Sequence, residues 1–383
     1  MPSLSYHLQR FFTSSQASSL LLLLATLLAL VTANTALAPY YHLLWHSYWW
    51  HLSLETWVND GLMAIFFLLI GLELKRELYV GELSSLNNAL LPTVAAIGGM
   101  LVPAWIFWQF NHGSAYQAGV GIPMATDIAF ALGVLAILGK RVPAPLKVFL
   151  VAFAVIDDLG AALMIAIFYV KSLSLGYLAA ALVVLACLWL LNRLQVRTLP
   201  PYLLGGLIMW WLTLQSGVHP TLAGVALAFT IPFSATQHSP SHVLEKTLHW
   251  PVAFLILPLF AFANTGLYIT PQSLPALFSH TGSFGIMAGL LLGKPVGITL
   301  AVWLAVLAGV CKLPPPLRWA HIAGAGMLGG IGFTMSIFIT NLAFDGWDEV
   351  IQLSKMAILA GSFFSAMAGW LWLKKVLPDY VKS

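Results

Sequence analysis

Long apolar runs repeat along almost the whole chain and limit the folds that it can adopt. A helix that crosses a membrane needs about 20 mostly apolar residues, and about twelve runs approach or reach that length. The pattern predicts an all-α polytopic membrane protein with about twelve transmembrane helices, forming a single domain over residues 1–383. The runs cover residues 17–38, 56–74, 89–110, 118–138, 148–170, 175–192, 201–215, 219–233, 248–268, 284–309, 320–344 and 353–373.

Composition excludes several other classes of protein. Hydrophobic residues make up 60% of the 383 residues and charged residues only 8%, whereas a soluble domain carries about 25% charged residues. So small a charged fraction excludes a soluble enzyme and a disordered chain. The two cysteines suggest no disulfide or metal framework, no cofactor is expected, and the net charge of +4 requires no nucleic-acid partner.

The first run allows two interpretations. Arg10, the apolar stretch 20–31 and the triplet Ala36-Leu37-Ala38 together resemble a signal peptide with its cleavage site. An uncleaved first span is the favoured interpretation. Ten or more further runs follow, so the class of protein is the same in both cases.

The distribution of basic residues predicts the orientation of the chain. If the N-terminus is cytoplasmic and the spans alternate, all but three of the 17 Lys and Arg residues fall on the cytoplasmic side. Lys171 and Lys355 fall outside, and Lys294 lies within a span. The positive-inside rule therefore predicts both termini in the cytoplasm and an even number of spans in the lipid bilayer. The cytoplasmic set is Arg10, Lys75, Arg76, Lys140, Arg141, Lys147, Arg193, Arg197, Lys246, Lys312, Arg318, Lys374, Lys375 and Lys382.

Several charged residues fall inside the apolar runs or near their ends. A charge in the middle of a bilayer costs roughly 2.5–3.5 kcal/mol on insertion scales, so such residues usually mark function. For Asp60 and Glu73, near the two ends of the second run, an interfacial position is an equal alternative. The set is Asp60, Glu73, Asp127, Asp157, Asp158 and Lys294.

The adjacent acids predict a site where cations and protons compete. Neighbouring residues on a helix point about 100° apart, so Asp157 and Asp158 cannot both face one cavity. One can face an aqueous funnel while the other turns toward a neighbouring helix, where Lys294 is the natural partner. Carboxylates suit hard cations such as Na⁺, Li⁺ or H⁺. Since a carboxylate must lose its proton to bind a metal cation, competition for one site is the simplest chemistry of an antiporter.

Two of the runs contain breaks near their middle. A proline and glycines precede Thr126-Asp127 in the fourth run, and glycines precede Phe333-Thr334 in the eleventh. Unwound backbone within a membrane is tolerated only inside protein or around a cavity. Paired interrupted spans are typical of inverted repeats with a midplane site, so the breaks are expected to cross there, with Asp127 and Lys294 balancing the helix dipoles. Close helix packing is the alternative explanation for the glycines.

Eight stretches of the sequence are similar to those of one known family. They cover residues 59–67, 71–78, 125–133, 156–161, 216–219, 257–264, 293–295 and 330–336. Over nearly its whole length the chain resembles the NhaA-type bacterial sodium/proton antiporters, which are themselves standard examples of inverted repeats with broken helices. The resemblance implies twelve spans in the bacterial inner membrane, usually as a homodimer. It implies a transporter, not an enzyme, that exports Na⁺ or Li⁺ as protons enter and contributes to Na⁺ and pH homeostasis.

The resemblance also implies roles for single residues. Asp158 and Asp157 match the carriers of the cation and the proton, so Na⁺ is expected at these two acids, and Lys294 matches the lysine that pairs with one of them. Residues 45–54 take the place of a periplasmic hairpin used for dimer contact. The expected ion-binding and proton-binding set is Asp157, Asp158, Lys294, Asp127, Thr126 and Asp60.

A second group of residues matches a cytoplasmic cluster that the family uses to respond to pH. Its members are Glu73, Arg76, Glu77, Glu245, His249 and His219. The spacing of the first three, at i, i+3 and i+4, is equally typical of solvated ion pairs. Lys246 departs from the pattern, because close relatives can carry a histidine there, and this leaves the tuning of the pH threshold open.

Two other functions remain open on the residues alone. Asp127 and Asp158 could share one proton as in an intramembrane aspartyl enzyme, although no supporting motif accompanies them. A passive cation channel is normally built from symmetric rings of ligands, whereas a single asymmetric Asp/Lys site suits alternating access. A flux assay under a pH gradient separates the three, because only an antiporter couples Na⁺ movement to protons.

Overall fold

Helices form nearly all the regular structure of the computed structural model, which describes residues 15–170, 172–236 and 238–378. Arg10, Lys171 and Lys382, three of the basic residues used to predict orientation, lie outside the described residues. The first helices are α1 (Ser15–Ala33), α2 (Ala38–His46), α3 (Leu54–Val80), α4 (Leu86–Asn111), α5 (Ile128–Ile137), α6 (Ala144–Phe168), α7 (Leu175–Arg193) and α8 (Pro200–Ser216). The others are α9 (Thr221–Thr230), α10 (Pro240–Asn264), α11 (Ser273–Ser279), α12 (Thr281–Leu307), α13 (Trp319–Gly329), α14 (Phe333–Ala343) and α15 (Asp348–Val376).

Shorter elements interrupt or connect these helices. Turns of 3₁₀ helix cover Glu82–Ser84, Ala115–Met124 and Gly139–Arg141. Segments of π-helix lie within α3, α10 and α12 at Trp57–Leu62, Val252–Ile256 and Gly289–Gly293. Such segments often mark functional positions. Two of the predicted site residues are at them, since Asp60 lies in the first and Lys294 directly follows the last.

The long helices confirm a multi-pass, all-α membrane protein. Within the described residues, eight helices are long and apolar enough to cross a membrane, and two bent pairs raise the number to ten. The two remaining predicted spans correspond to α8, of 17 residues, and α9, of 10 residues, which are shorter. The total of twelve therefore stays a prediction, as does the inverted repeat.

The two bent pairs fall where the sequence predicts breaks. The 3₁₀ helix Ala115–Met124 meets α5 at 43°, and α13 meets α14 at 46°. In the first pair Pro123 lacks an N–H group, and Ala125 adopts extended backbone. In the second pair Gly330 faces a close neighbour, because an added Cβ would collide with the carbonyl oxygen of Leu290.

The described chain separates into two compact units. Unit 1 comprises the described residues within 1–35, 85–158 and 264–383, and unit 2 comprises those within 36–84 and 159–263. Within unit 1, α4 and α12 pack at very close range, because Gly98 and Gly297 place the backbone of each helix where the other's Cβ would be. Small residues of this kind let helix backbones approach in membranes.

Unit 2 is built around the packing of α3 against α9. Its buried core includes Leu68, Leu72, Leu188, Tyr202 and Leu227. A two-stranded antiparallel hairpin, β1 (Tyr48–Trp49) and β2 (Leu52–Ser53), precedes α3. It lies within residues 45–54, the stretch for which the sequence resemblance implies a dimer contact.

Candidate functional site

The two bent pairs contact each other at their breaks, within unit 1. The backbone N–H of Asp127 donates to the carbonyl oxygen of Ile331 at 2.6 Å. One residue earlier, the Thr126 hydroxyl donates to the carbonyl oxygen of Gly329 at 2.8 Å. The unwound carbonyls of one pair are therefore satisfied by the unwound segment of the other, as buried backbone requires.

Asp127 accepts hydrogen bonds from the N-termini of two helices. Its Oδ1 atom accepts from the N–H of Phe130, in the first turn of α5, at 3.0 Å. Its Oδ2 atom accepts from the N–H of Thr334 at 3.1 Å and also from the Thr334 hydroxyl. Helix N-termini carry partial positive charge and unpaired N–H groups. The buried carboxylate is thus held by two helix ends, without a basic side chain among these contacts.

Lys294 and Asp157 form a fully buried ion pair. The Nζ atom of Lys294 lies 2.7 Å from Oδ2 of Asp157, and neither side chain has exposed surface. The same ammonium group donates to the Thr126 hydroxyl at 2.8 Å. Short charge-assisted bonds of this kind are needed to offset the cost of removing both charges from water. The threonine connects the ion pair to the crossing of the breaks.

Asp158 adds a second buried carboxylate beside the same lysine. Its side chain is almost fully buried, and its charge acts on the Lys294 ammonium. Because it follows Asp157 on one helix, its side chain points about 100° away. When all three side chains are ionised, the two carboxylates and the ammonium carry a formal net charge of −1, and a buried net charge is expensive. The group is therefore suited to binding one proton or one metal cation.

The predicted pH-response residues on α3 and α10 lie together in unit 2. Arg76 contacts Glu245 at 2.8 Å and Glu77 at 2.9 Å. His249 lies 3.9 Å from a carboxylate oxygen of Glu73. His242 is a sixth member that was not predicted from the sequence, and its ring nitrogen lies 3.9 Å from Glu245. The i, i+3 spacing of His242 and Glu245 on one helix was the signal that could have revealed it.

His219 and Asp60 form a separate contact within unit 2. The Nε2 atom of His219 lies 3.3 Å from Oδ1 of Asp60, and the Asp60 carbonyl oxygen accepts from the indole N–H of Trp210 at 3.0 Å. From the sequence, Asp60 was predicted in the ion-binding group and His219 in the pH-response group. The structure brings these two residues to each other.

A second buried lysine was treated in the sequence only as a cytoplasmic charge. Lys75 is 4% exposed, and its ammonium group donates to carbonyl oxygens of Ala228, Phe229 and Ile231 at 3.2, 3.1 and 2.5 Å. These carbonyls lie at the C-terminal end of α9, where a helix leaves acceptors without partners. The contact joins residues about 150 positions apart, and nothing local in the sequence indicates it.

Comparison with known proteins identifies the family of the chain. The model of the family described as Na⁺/H⁺ antiporter 1 matches residues 9–373. A protein of Dechloromonas aromatica named Na(+)/H(+) antiporter NhaA is 58% identical over 374 residues, covering 97% of this chain and 96% of that protein. A protein of the same name from Flavobacterium psychrophilum is 52% identical over 374 residues, covering 97% of each chain. The chain therefore belongs to the Na⁺/H⁺ antiporter 1 family, whose members are multi-pass membrane transporters rather than enzymes.

Proposed function

We propose that this protein exchanges cytoplasmic Na⁺ or Li⁺ for external H⁺ at the buried carboxylates of Asp158 and Asp157. The observation that carries the proposal is the charge of the group, in which two buried acids face one buried base. One excess negative charge favours occupation by one cation at all times. A proton and a metal ion then compete for the same oxygens, and this competition couples their movements.

In this scheme Lys294 neutralises Asp157, and the cation or proton binds at Asp158 with a contribution from Asp157. When a metal ion approaches both acids, the ammonium must share Asp157 with it. Thr126, already bonded to Lys294, keeps the ammonium within reach as that contact weakens. Asp127 has a different role. Its carboxylate accepts hydrogen bonds from the N-terminal ends of two helices and so stabilises the crossing of the breaks.

The wider setting of the transporter is also proposed. The two compact units act as one antiporter domain, since the family match extends over both. The bacterial inner membrane supplies the lipid bilayer, with both termini in the cytoplasm. The bias of Lys and Arg toward one side supports this orientation.

The cluster of Glu73, Arg76, Glu77, Glu245 and His249 is proposed to regulate transport by pH. Arg76 pairs with Glu77 and Glu245, and His249 lies beside Glu73. A change in protonation can therefore alter several neighbouring charged contacts. His219 is proposed to take part through Asp60, which it contacts. Such control would contribute to Na⁺ and pH homeostasis.

The hairpin is proposed to mediate a homodimer. Its turn residues Trp50 and His51 adopt positive φ angles of 55° and 98°, a region that favours glycine. The aromatic side chains Tyr48, Trp49 and Trp50 are nonetheless well exposed. A strained turn that presents aromatic residues suits a protein contact. Replacing Trp50 and His51 by Asn and Gly should keep the hairpin and shift the purified protein toward monomers on light-scattering chromatography.

The proposed site is tested by Asp158→Asn in proteoliposomes. The variant keeps the shape of the side chain but removes the negative charge, so Na⁺ should no longer dissipate a preset pH gradient. Asp348→Asn, which changes an exposed acid at the start of α15, is the matched control and should exchange normally. A folded Asp158→Asn protein with wild-type exchange would remove this carboxylate from the mechanism.

The same vesicles distinguish exchange from passive conduction. An antiporter moves Na⁺ against its gradient when a pH gradient is imposed, and it stops when the gradient collapses. A channel passes Na⁺ down its own gradient whatever the pH difference. Tracer ²²Na⁺ uptake with and without an imposed pH gradient therefore separates the two functions.

A further inference from the structure

The second break is held by a residue outside both bent pairs. Ser362 lies on α15 and is 6% exposed. Its hydroxyl oxygen accepts from the N–H groups of Gly332 and Phe333 at 3.2 and 3.1 Å. These N–H groups lie at the start of α14. An unwound segment precedes this helix, so no earlier helical turn supplies acceptors for them.

We infer that Ser362 is a positioning residue for ion exchange, which sets the geometry of the crossing through the backbone of residues 332 and 333. Three successive N–H groups begin α14. Ser362 takes the first two, and Asp127 takes the third, that of Thr334. Because the neutral hydroxyl binds the first two N–H groups, the carboxylate of Asp127 can accept hydrogen bonds from Thr334 and Phe130.

Hydrogen bonds and short stretches of backbone connect Ser362 to the ion pair. Ile331 precedes the two residues that Ser362 binds, and its carbonyl oxygen accepts from the N–H of Asp127 at 2.6 Å. The neighbouring Thr126 hydroxyl donates to Gly329 and accepts from Lys294. Lys294 in turn pairs with Asp157. Every link is shorter than about 3.3 Å, so a shift of the break is transmitted to the ammonium group.

Removing the hydroxyl should disturb the site without removing any of its charges. In Ser362→Ala the two N–H groups lose their acceptor, and the carboxylate of Asp127, which already binds the next N–H group along the chain, is expected to compensate them. A carboxylate drawn toward residues 332 and 333 would loosen its bonds to Thr334 and Phe130. The geometry of Thr126 and Lys294 would then be less well fixed, and a site that must first be ordered binds its ion more weakly.

The experiment measures Na⁺-dependent exchange of the full chain in proteoliposomes at symmetric pH. Ser362→Ala should raise the apparent KM for Na⁺ between about threefold and tenfold, the value of one lost hydrogen bond, and should shift the pH profile. The maximal rate at saturating Na⁺ should stay within about twofold. Ser362→Thr, which keeps the hydroxyl, should restore the wild-type KM.

Ser354→Ala is the matched control. Ser354 is a buried serine on the same helix, and its loss should leave both the KM and the pH profile unchanged. If Ser362→Ala does not insert, Ser362→Cys replaces it, because sulfur is a weak acceptor of similar size, and the same rise in KM is expected. A wild-type KM in the Ala or Cys variant overturns the inference, and so does a Thr variant as impaired as Ala.

The inference rests on the proposed site at Asp157 and Asp158, but the two can fail separately. If Asp158→Asn abolishes exchange while Ser362→Ala behaves as wild type, only the positioning role is wrong. If Asp158→Asn exchanges normally, the site itself is wrong, and the effect of Ser362 then concerns some other step.

Discussion

Two of the three lysines that are buried among the described residues, one from each compact unit, are compensated in different ways. Lys294 in unit 1 pairs with the carboxylate of Asp157 and with the Thr126 hydroxyl. Lys75 in unit 2 bonds to three backbone carbonyls at the end of α9. Both side chains are almost completely buried. The first lysine depends on a carboxylate, which changes charge when it takes up a proton, and the second depends on carbonyl groups, which do not titrate.

The difference separates a transport role from a structural role. A carboxylate that gains a proton or a metal ion no longer needs its ammonium partner, so the contact of Lys294 can change during a cycle. The carbonyls of a helix end keep their partial negative charge at every pH. Lys75 is therefore expected to hold α9 against α3 constantly. The following variants test this contrast, in order of decreasing expected effect.

Lys294→Met should cause the largest loss of stability. It leaves Asp157 buried without its partner, which in soluble proteins costs roughly 3–5 kcal/mol. The melting temperature in detergent should fall most at high pH, where the carboxylate is ionised, and should recover at low pH, where it is protonated. The pH dependence of exchange should change as well. A variant that melts like the wild type and keeps its pH profile would show that the pair is not needed.

A double-mutant cycle sharpens the result. Asp157→Asn removes the charge that Lys294 compensates, so the Lys294→Met/Asp157→Asn protein should be more stable than the two single effects predict. Coupling energies of contacting residues reach about 3 kcal/mol, and a value near that limit is expected here. Additive melting shifts would mean that the two residues do not interact in the folded protein.

Lys75→Met should have a smaller effect of a different kind. It leaves carbonyls at the end of α9 without donors, which costs about 1–3 kcal/mol for an unsatisfied buried group. The melting temperature should fall by the same amount at low and at high pH, as long as Lys75 is charged in the wild type at both pH values. Lys75→Arg, which keeps several donors, should recover part of it. An altered KM for Na⁺ in Lys75→Met would contradict the structural role.

Thr126→Val should have the smallest effect among these variants. It removes the hydroxyl that joins Lys294 to the carbonyl oxygen of Gly329, and each lost hydrogen bond is typically worth about 0.5–1.5 kcal/mol. The ion pair itself remains. A modest rise in apparent KM for Na⁺ is expected, measured beside Thr126→Ser, which keeps the hydroxyl and should behave as wild type.

The sequence was sufficient to predict the charged groups and the breaks. An isolated base within an apolar run has few possible partners, which is why Lys294 could be assigned to the acids of α6. Proline and glycine interrupt helices through local backbone chemistry, so the breaks at residues 125–127 and 330–332 were predictable from neighbouring residues alone.

Contacts between distant segments were not predictable in the same way. Ser362 and Lys75 bind backbone groups, and a backbone group carries no signature in the sequence. Helix ends were also misplaced where hydropathy and backbone chemistry disagree. The run 219–233 remains apolar to its end, yet α9 stops at Thr230, just ahead of Pro232. Similarly, α10 begins at Pro240, whereas the apolar run predicts that the helix starts at residue 248, because its first turns are polar.

The central claim is that protons and Na⁺ share the carboxylates beside Lys294. It is tested most directly by the apparent KM for Na⁺ between pH 6 and 9 in proteoliposomes at symmetric pH. If the site is shared, the KM rises as the pH falls, by a factor of about ten per pH unit for one displaced proton. It becomes constant at high pH, where the carboxylates are already ionised. A KM that stays constant throughout while only the maximal rate changes would contradict the shared site and favour a separate pH gate.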